Sequence, residues 1–215
     1  MIITVDGYDG TGKTTLAKKL AERFNLVYVD KPFIHMIKEQ NNCTYEEAKK
    51  IAEQQEAIIW QKPRDLNKIT KYYLDAFIWL KKYQQDYNIV MDRGILTTYA
   101  VVGNEETEKT FDFYVSMGCF FDGSIYLTAD DYERVRRIRE NDPTDPDLNH
   151  PVKWRENNLE EYAASRGLKY QAISTDGKTP DEVFDEAIPL VEKMLYPDAP
   201  KLAKKPEPIK KRLFE

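Results

Sequence analysis

The sequence predicts an α/β fold in which a five-stranded parallel sheet is flanked by helices. Two observations lead there. Five short apolar runs alternate with segments of helical spacing, the pattern of strand–helix–strand crossovers. A glycine-rich loop also follows directly on the first apolar run and opens directly into an amphipathic segment. A chain of 215 residues fits one domain, or one domain with an insertion.

The first predicted strand is Ile2 to Val5. Beyond the glycine loop, Leu16, Leu20 and Phe24 fall four apart while Lys18, Lys19, Glu22 and Arg23 take the other side, which predicts a helix. Leu26 to Val29 is the second strand. Thr44 and Glu47 form a capping box, so a helix begins near Tyr45 and runs to about Gln61, where Pro63 halts it. A further helix spans roughly Leu66 to Tyr83. Strands follow at Asn88 to Met91, Ser124 to Leu127 and Tyr170 to Ser174. Asp181 to Leu195 is the last helix, with Val183, Ala187, Leu190 and Met194 on one face. After Tyr196, four of the eleven prolines fall within a dozen residues, so residues 197–215 read as an extended or disordered tail.

Composition narrows the function classes. No apolar run approaches the roughly 18 residues that cross a bilayer, and MIITVDG lacks a basic leader before an apolar core, so the expectation is a soluble cytoplasmic protein. Cys43 and Cys119 have neither metal-type nor disulfide-framework spacing. Net charge is -5, divided into +3 on the tail and -8 on the rest, which argues against broad nucleic-acid binding. His35 and His150 have no motif context and are expected to be surface or core residues.

Gly7, Gly12, Lys13 and Thr14 satisfy the phosphate-loop spacing between a strand and a helix. In that context Gly7, Tyr8, Asp9, Gly10, Thr11, Gly12, Lys13, Thr14 and Thr15 are expected to wrap ATP. Backbone N–H groups and the helix dipole face the phosphates, Lys13 reaches the outer phosphates, and Thr14 ligates Mg2+. Asp9 is anomalous, because a carboxylate in an anion cradle repels the ligand. Either it caps a loop amide, or it faces a second substrate's hydroxyl or a Mg2+-bound water.

Two further clusters stand out. Asp92 and Arg93 end the third strand, where an acid can hold Mg2+ through water and an arginine can grip a phosphate with two bonds. Arg134, Arg136, Arg137 and Arg139 crowd six positions in a chain with ten arginines. They form either i,i+4 pairs (Asp130 with Arg134, Glu133 with Arg137, Arg136 with Glu140) or the start of a lid over the transferred phosphoryl group.

GYDGTGKTT and MDRGILTTYA resemble the corresponding segments of the thymidylate kinases and their deoxynucleoside kinase relatives, P-loop NTPases with a helical acceptor-binding insertion and an Arg-rich lid. The resemblance implies a kinase domain over residues 1–196, the insertion at about 31–86 and the lid at about 134–154. It implies that ATP with Mg2+ phosphorylates a nucleoside monophosphate, with dTMP the best match. Thr14 and Asp92 would serve the metal. Asp9 would meet the acceptor's 3'-hydroxyl, with Lys31, Phe33, Tyr73, Arg93 and Thr97 also at the acceptor. Among the catalytic residues, Lys13 would hold the β and γ phosphates, Arg93 would grip the acceptor phosphate, and Arg137 or Arg139 would meet the migrating group, with Asp176, Gly177 and Lys178 near the adenine.

Departures from the family pattern leave the base open. Asp30-Lys31-Pro32-Phe33 stands where the family has an arginine-glutamate-proline element, Gly94 replaces a tyrosine, and Lys71 matches an expected arginine. Tyr72, Tyr73, Phe77 and Trp79 offer stacking surface, though their helical spacing equally suits a core. A nucleoside kinase acting on a 5'-hydroxyl would need a base, for which Asp30 is the candidate. A nucleotide-dependent switch or nucleic-acid end-processing protein is a third reading; Asn67-Lys68-Ile69-Thr70 lacks the acid of a guanine-reading motif. The expected partners are small-molecule nucleotides, without nucleic acid or membrane, with a homodimer and a tail-docking protein as further options.

Overall fold

The protein was analysed as a computed structural model, which describes residues 1–145, 148 and 159–197. Strands β1 (Ile2–Gly7), β2 (Val27–Val29), β3 (Ile89–Asp92), β4 (Gly123–Thr128) and β5 (Gln171–Ser174) form one sheet in the order β2-β3-β1-β4-β5. Every adjacent pair is parallel. Chain order changes direction at β1, with β3 on one side and β4 on the other. That places the loop after β1 at the crevice where open α/β sheets bind ligands.

Strand alternation sends side chains to two cores. Ile3, Val5, Val90, Ile125 and Leu127 pack with Leu16 and Leu20 of α1 (Lys13–Phe24) and with Val183, Ala187 and Val191 of α9 (Pro180–Leu195). The buried stripe of α9 thus runs through Val191, and the expected Leu190 and Met194 lie only partly buried beside it. Ile2, Ile89, Met91 and Tyr126 face the opposite core. There they meet α4 (Leu66–Lys81), α5 (Ile95–Val102), α6 (Glu108–Ser116) and α8 (Leu159–Ser165). Burying each large aliphatic side chain contributes about 1.5–3 kcal/mol.

Between β2 and β3 run α2 (Pro32–Asn41), α3 (Tyr45–Ile59) and α4, joined by a small core of Phe33, Ile34, Ile37, Ala48, Ala52 and Ala76. The Thr44–Glu47 capping box of α3 is formed, and Pro32 occupies the first turn of α2. Helices α2, α5, α6 and α8 escaped the periodicity reading. α5 is buried almost all round and so shows no apolar stripe, while α6 and α8 are short. Phe77 is core, 4% exposed and edge-on to Phe121, and Trp79 packs on Tyr83. No described helix is long and apolar enough to cross a membrane. His150, Trp154 and residues 198–215 lie outside the described residues.

Candidate active site

The phosphate loop begins where β1 ends. Gly10 has φ of 81°, and a Cβ there would meet the Arg134 carbonyl oxygen at 2.6 Å, so glycine is needed both for the turn and for the close approach of α7 (Asp131–Asn141). The Lys13 ammonium is 4% exposed. It donates to the Tyr8 carbonyl at 2.6 Å and lies 3.4 Å from Asp9 Oδ1. Burial, reinforced by the nearby Arg93 charge, lowers its pKa to about 8. Thr14 and Thr15 are exposed at the mouth of the loop.

The anomalous acid caps no loop amide among the described residues. Arg93 donates to Asp9 Oδ1 at 2.5 Å, and Lys13 approaches the same oxygen. Burial alone would raise the carboxyl's pKa, but the two cations together hold it below the usual range. One carboxylate oxygen therefore gathers two cations from different elements of the loop region. Arg93 reaches it from a backbone with φ of 72°, left-handed space that a β-carbon makes costly, about 1–2 kcal/mol.

Asp92 ends β3 beside the loop. Thr14 Oγ1 donates to its Oδ2 at 2.5 Å, whereas Oδ1 is buried with no hydrogen-bond partner among the described residues. Burial raises this carboxyl's pKa against the opposing pull of Thr14, Lys13 and Arg93. A hydroxyl and an under-coordinated hard oxygen side by side fit Mg2+, which takes one or two protein oxygens and completes its shell with water and phosphate. Asp30 is the next neighbour: β2 pairs Val29 with Met91, so the two acids follow in register at the sheet edge.

Asp6, three residues before Asp9, was not singled out by the motifs. It is 0% exposed and accepts from Thr4 Oγ1 (2.6 Å), Ser124 Oγ (2.8 Å), Gly94 N (2.7 Å), Thr97 N (2.8 Å) and Thr97 Oγ1 (2.8 Å). Thr97 Oγ1 also accepts from Gly7 N at 3.1 Å. Thr97, expected at the acceptor, is thus spent on fixing β1 and the loop, and its 4% exposure removes it from the site surface. Gly94 stands in place of the family's tyrosine because a Cβ would meet Thr4 Cγ2 at 2.8 Å. The signal available in the sequence was an acid at the end of an otherwise apolar strand.

The arginine-rich segment is α7, where the helical ion-pair reading holds for two of its three pairs. Arg137 with Glu133 and Arg136 with Glu140 form the expected pairs. Asp130 instead caps the helix, accepting from Tyr132 N at 2.8 Å, and Asp131 takes Arg134. Two arginines dock on the loop: Arg134 Nε donates to the Asp9 carbonyl at 2.8 Å and Arg137 NH1 to the Gly10 carbonyl at 3.4 Å. Arg137 also donates to Thr175 Oγ1 (2.8 Å) and Thr175 O (2.9 Å). Its fork is committed to tying α7 to the end of β5, a correction to the expectation that it meets the migrating phosphoryl. Arg139 is exposed in the last turn. Asp176 accepts from Asp130 N at 2.8 Å, and Lys178 pairs with Glu186 at 2.5 Å.

On the other side of the loop, Phe33, Tyr72 and Tyr73 make mutual ring contacts of 5.2–5.6 Å. Phe33 is buried, and the Tyr73 hydroxyl is engaged by Glu56 (2.7 Å) and Trp60 (3.2 Å). Lys31 is exposed at the start of α2. His35 packs on Tyr45 at 5.3 Å.

Comparison with known proteins agrees with this fold. The model of the AAA domain family matches residues 3–163. A cytidylate kinase of Methanococcus vannielii is 28% identical over 69% of this chain and 70% of its own length. A probable thymidylate kinase of the same organism is 25% identical over 86% of this chain and 91% of its own. The structure of deoxyadenosine kinase from M. mycoides superposes with a TM-score of 0.59 at 17% identity, covering 90% of this chain and all of that one. With the parallel sheet, the loop between β1 and α1 and the Asp92–Arg93 strand end already in place, the chain belongs to the AAA domain family and is similar to P-loop nucleotide and nucleoside kinases.

Proposed function

We propose that the protein transfers the γ-phosphoryl group of ATP to the 5'-phosphate of a pyrimidine deoxynucleoside monophosphate, with dTMP as the first choice. The observation that carries this reading is the convergence of Lys13 and Arg93 on one Asp9 oxygen. Two cations held 2.5 and 3.4 Å from one anion can exchange it for the phosphates of two nucleotides, which would otherwise repel each other. Lys13 would hold the β and γ phosphates and Arg93 the acceptor phosphate, with Asp9 released toward the acceptor sugar. Thr14 and Asp92 would hold Mg2+, which when bound neutralises charge on the transferring phosphates. An acceptor phosphate is already ionised, so catalysis rests on positioning and charge neutralisation without a protein base.

Helices α2–α4 supply the acceptor-side wall, with Lys31, Phe33 and Tyr73 at its edge; α7 forms the base of the lid, with Arg139 the lid cation left exposed. The relative named a thymidylate kinase supports dTMP. One observation favours a second reading: Asp30 adjoins Asp92 in register, where a base for a 5'-hydroxyl acceptor would be useful.

ATP consumption against a panel of nucleosides and nucleoside monophosphates tests both. The first reading requires turnover of dTMP above all nucleosides, with Asp30→Asn retaining most of it. Turnover of nucleosides alone, abolished in Asp30→Asn, would transfer the assignment to the second.

A further inference from the structure

Away from the Asp9–Arg93–Lys13 cluster, a pocket of about 470 Å3 opens between β4, β5 and the first turn of α8. Three tyrosines from three elements wall it: Tyr8 from the phosphate loop, Tyr126 from β4, and Tyr170 just before β5. The Tyr8 and Tyr126 rings stand 6.4 Å apart at 78°, and those of Tyr126 and Tyr170 stand 5.8 Å apart at 61°, so successive walls turn steeply against one another. Glu160 and Glu161 complete the rim, and none of the described lining residues is lysine or arginine. The fold already uses one of these rings as a cation acceptor, since the Arg134 guanidinium lies 5.0 Å from the Tyr8 centroid. That charge is offset by Asp131 at 2.6 Å.

The lining selects the ligand class. Two carboxylates, with no lysine or arginine among the described lining residues, disfavour anions such as nucleotide phosphates. A divalent metal needs several converging oxygens, and among the described residues no group of three or more His, Cys, Asp or Glu is placed to hold one. Aromatic faces instead attract weakly hydrated organic cations. We propose that this pocket is an aromatic cage for a small organic ammonium ion, held by Tyr8, Tyr126 and Tyr170 and oriented by Glu160 and Glu161. The proposal is independent of which acceptor the kinase uses.

Calorimetric titration of the full chain with choline, and with its uncharged isostere 3,3-dimethylbutanol, tests it. Choline is expected to bind at least about tenfold more tightly than the isostere. Tyr170→Leu should weaken choline about tenfold while Tyr170→Phe retains it. Glu160→Gln with Glu161→Gln should weaken it about threefold at low salt and less at high salt. Equal affinity for the two compounds, absence of choline binding, or indifference to Tyr170→Leu would overturn the proposal. Thermal melting monitors folding of each variant. Should Tyr170→Leu fail to fold, the isostere pair and the exposed-glutamate double variant still decide the matter.

Discussion

Asp6 and Asp9 lie three residues apart, one at the end of β1 and one in the loop beyond it, and the fold treats their charges in opposite ways. Asp6 is sealed from water and held by neutral donors from β1, β4 and the start of α5. Asp9 keeps 29% of its side chain exposed and is held by two cations. Neutral buried donors make a permanent joint, because leaving any of them unmatched is costly. Cations on a half-buried acid would, on the proposed reading, be exchangeable, because a phosphate offers the same charge with more oxygens. The first arrangement builds the loop and the second readies it for ligands.

The sharpest way to break this comparison is to remove each acid. Asp6→Ala strands the donors of Thr4, Gly94, Thr97 and Ser124, and is expected to lower stability by about 3–5 kcal/mol in urea unfolding. Asp9→Ala should lower it less, by about 1–3 kcal/mol, because it strands the buried Lys13 but frees the half-exposed Arg93. Similar losses in both would erase the distinction.

Next in size is Lys13→Met. It should lower kcat/KM about 10²–10³-fold in the nucleotide panel, with folding unimpaired, since the ammonium it removes is buried at a cost. Retained turnover would show that the cation is dispensable.

The same burial gives a pH signature. Lys13's pKa is lowered from 10.5 to about 8, so between those values the unfolded chain binds the extra proton. This group's contribution to stability therefore rises with pH from about 8 toward 10, by at most about 1.4 kcal/mol per pH unit. Urea midpoints measured across that window should rise in the wild type relative to Lys13→Met. Identical pH profiles would refute the shifted lysine.

The smallest expected effect concerns the left-handed backbone at Arg93. Arg93→Gly and Arg93→Ala both lose the Asp9 pair, but the glycine variant should be more stable by about 1 kcal/mol because it has no β-carbon to strain. A more stable alanine variant would mean that the backbone relaxes there.

The candidate site was legible to the extent that its chemistry is written in contiguous residues. Gly7 to Thr15 carries the loop because a strand, a turn and a helix start must follow one another along the chain, and Asp92–Arg93 is marked by its position at a strand end. The charge problem at Asp9 was also visible, but its solution was not, since Arg93 stands 84 residues away. Among the clustered arginines, sequence favoured Arg137 and Arg139. The fold buries Arg134 against the loop and commits Arg137 to Thr175, 38 residues distant.

By itself the sequence determined the five strands, their separation by helices, and helices α1, α3, α4 and α9, because periodicity and caps act over a few residues. It also placed the phosphate-loop motif directly after β1. Tertiary structure alone decided that Thr97 serves Asp6, that one Asp92 oxygen has no hydrogen-bond partner among the described residues, and that three tyrosines line one pocket. The physical reason is that burial and pairing are set by which elements become neighbours, and parallel strands far apart in the chain meet only when the sheet assembles.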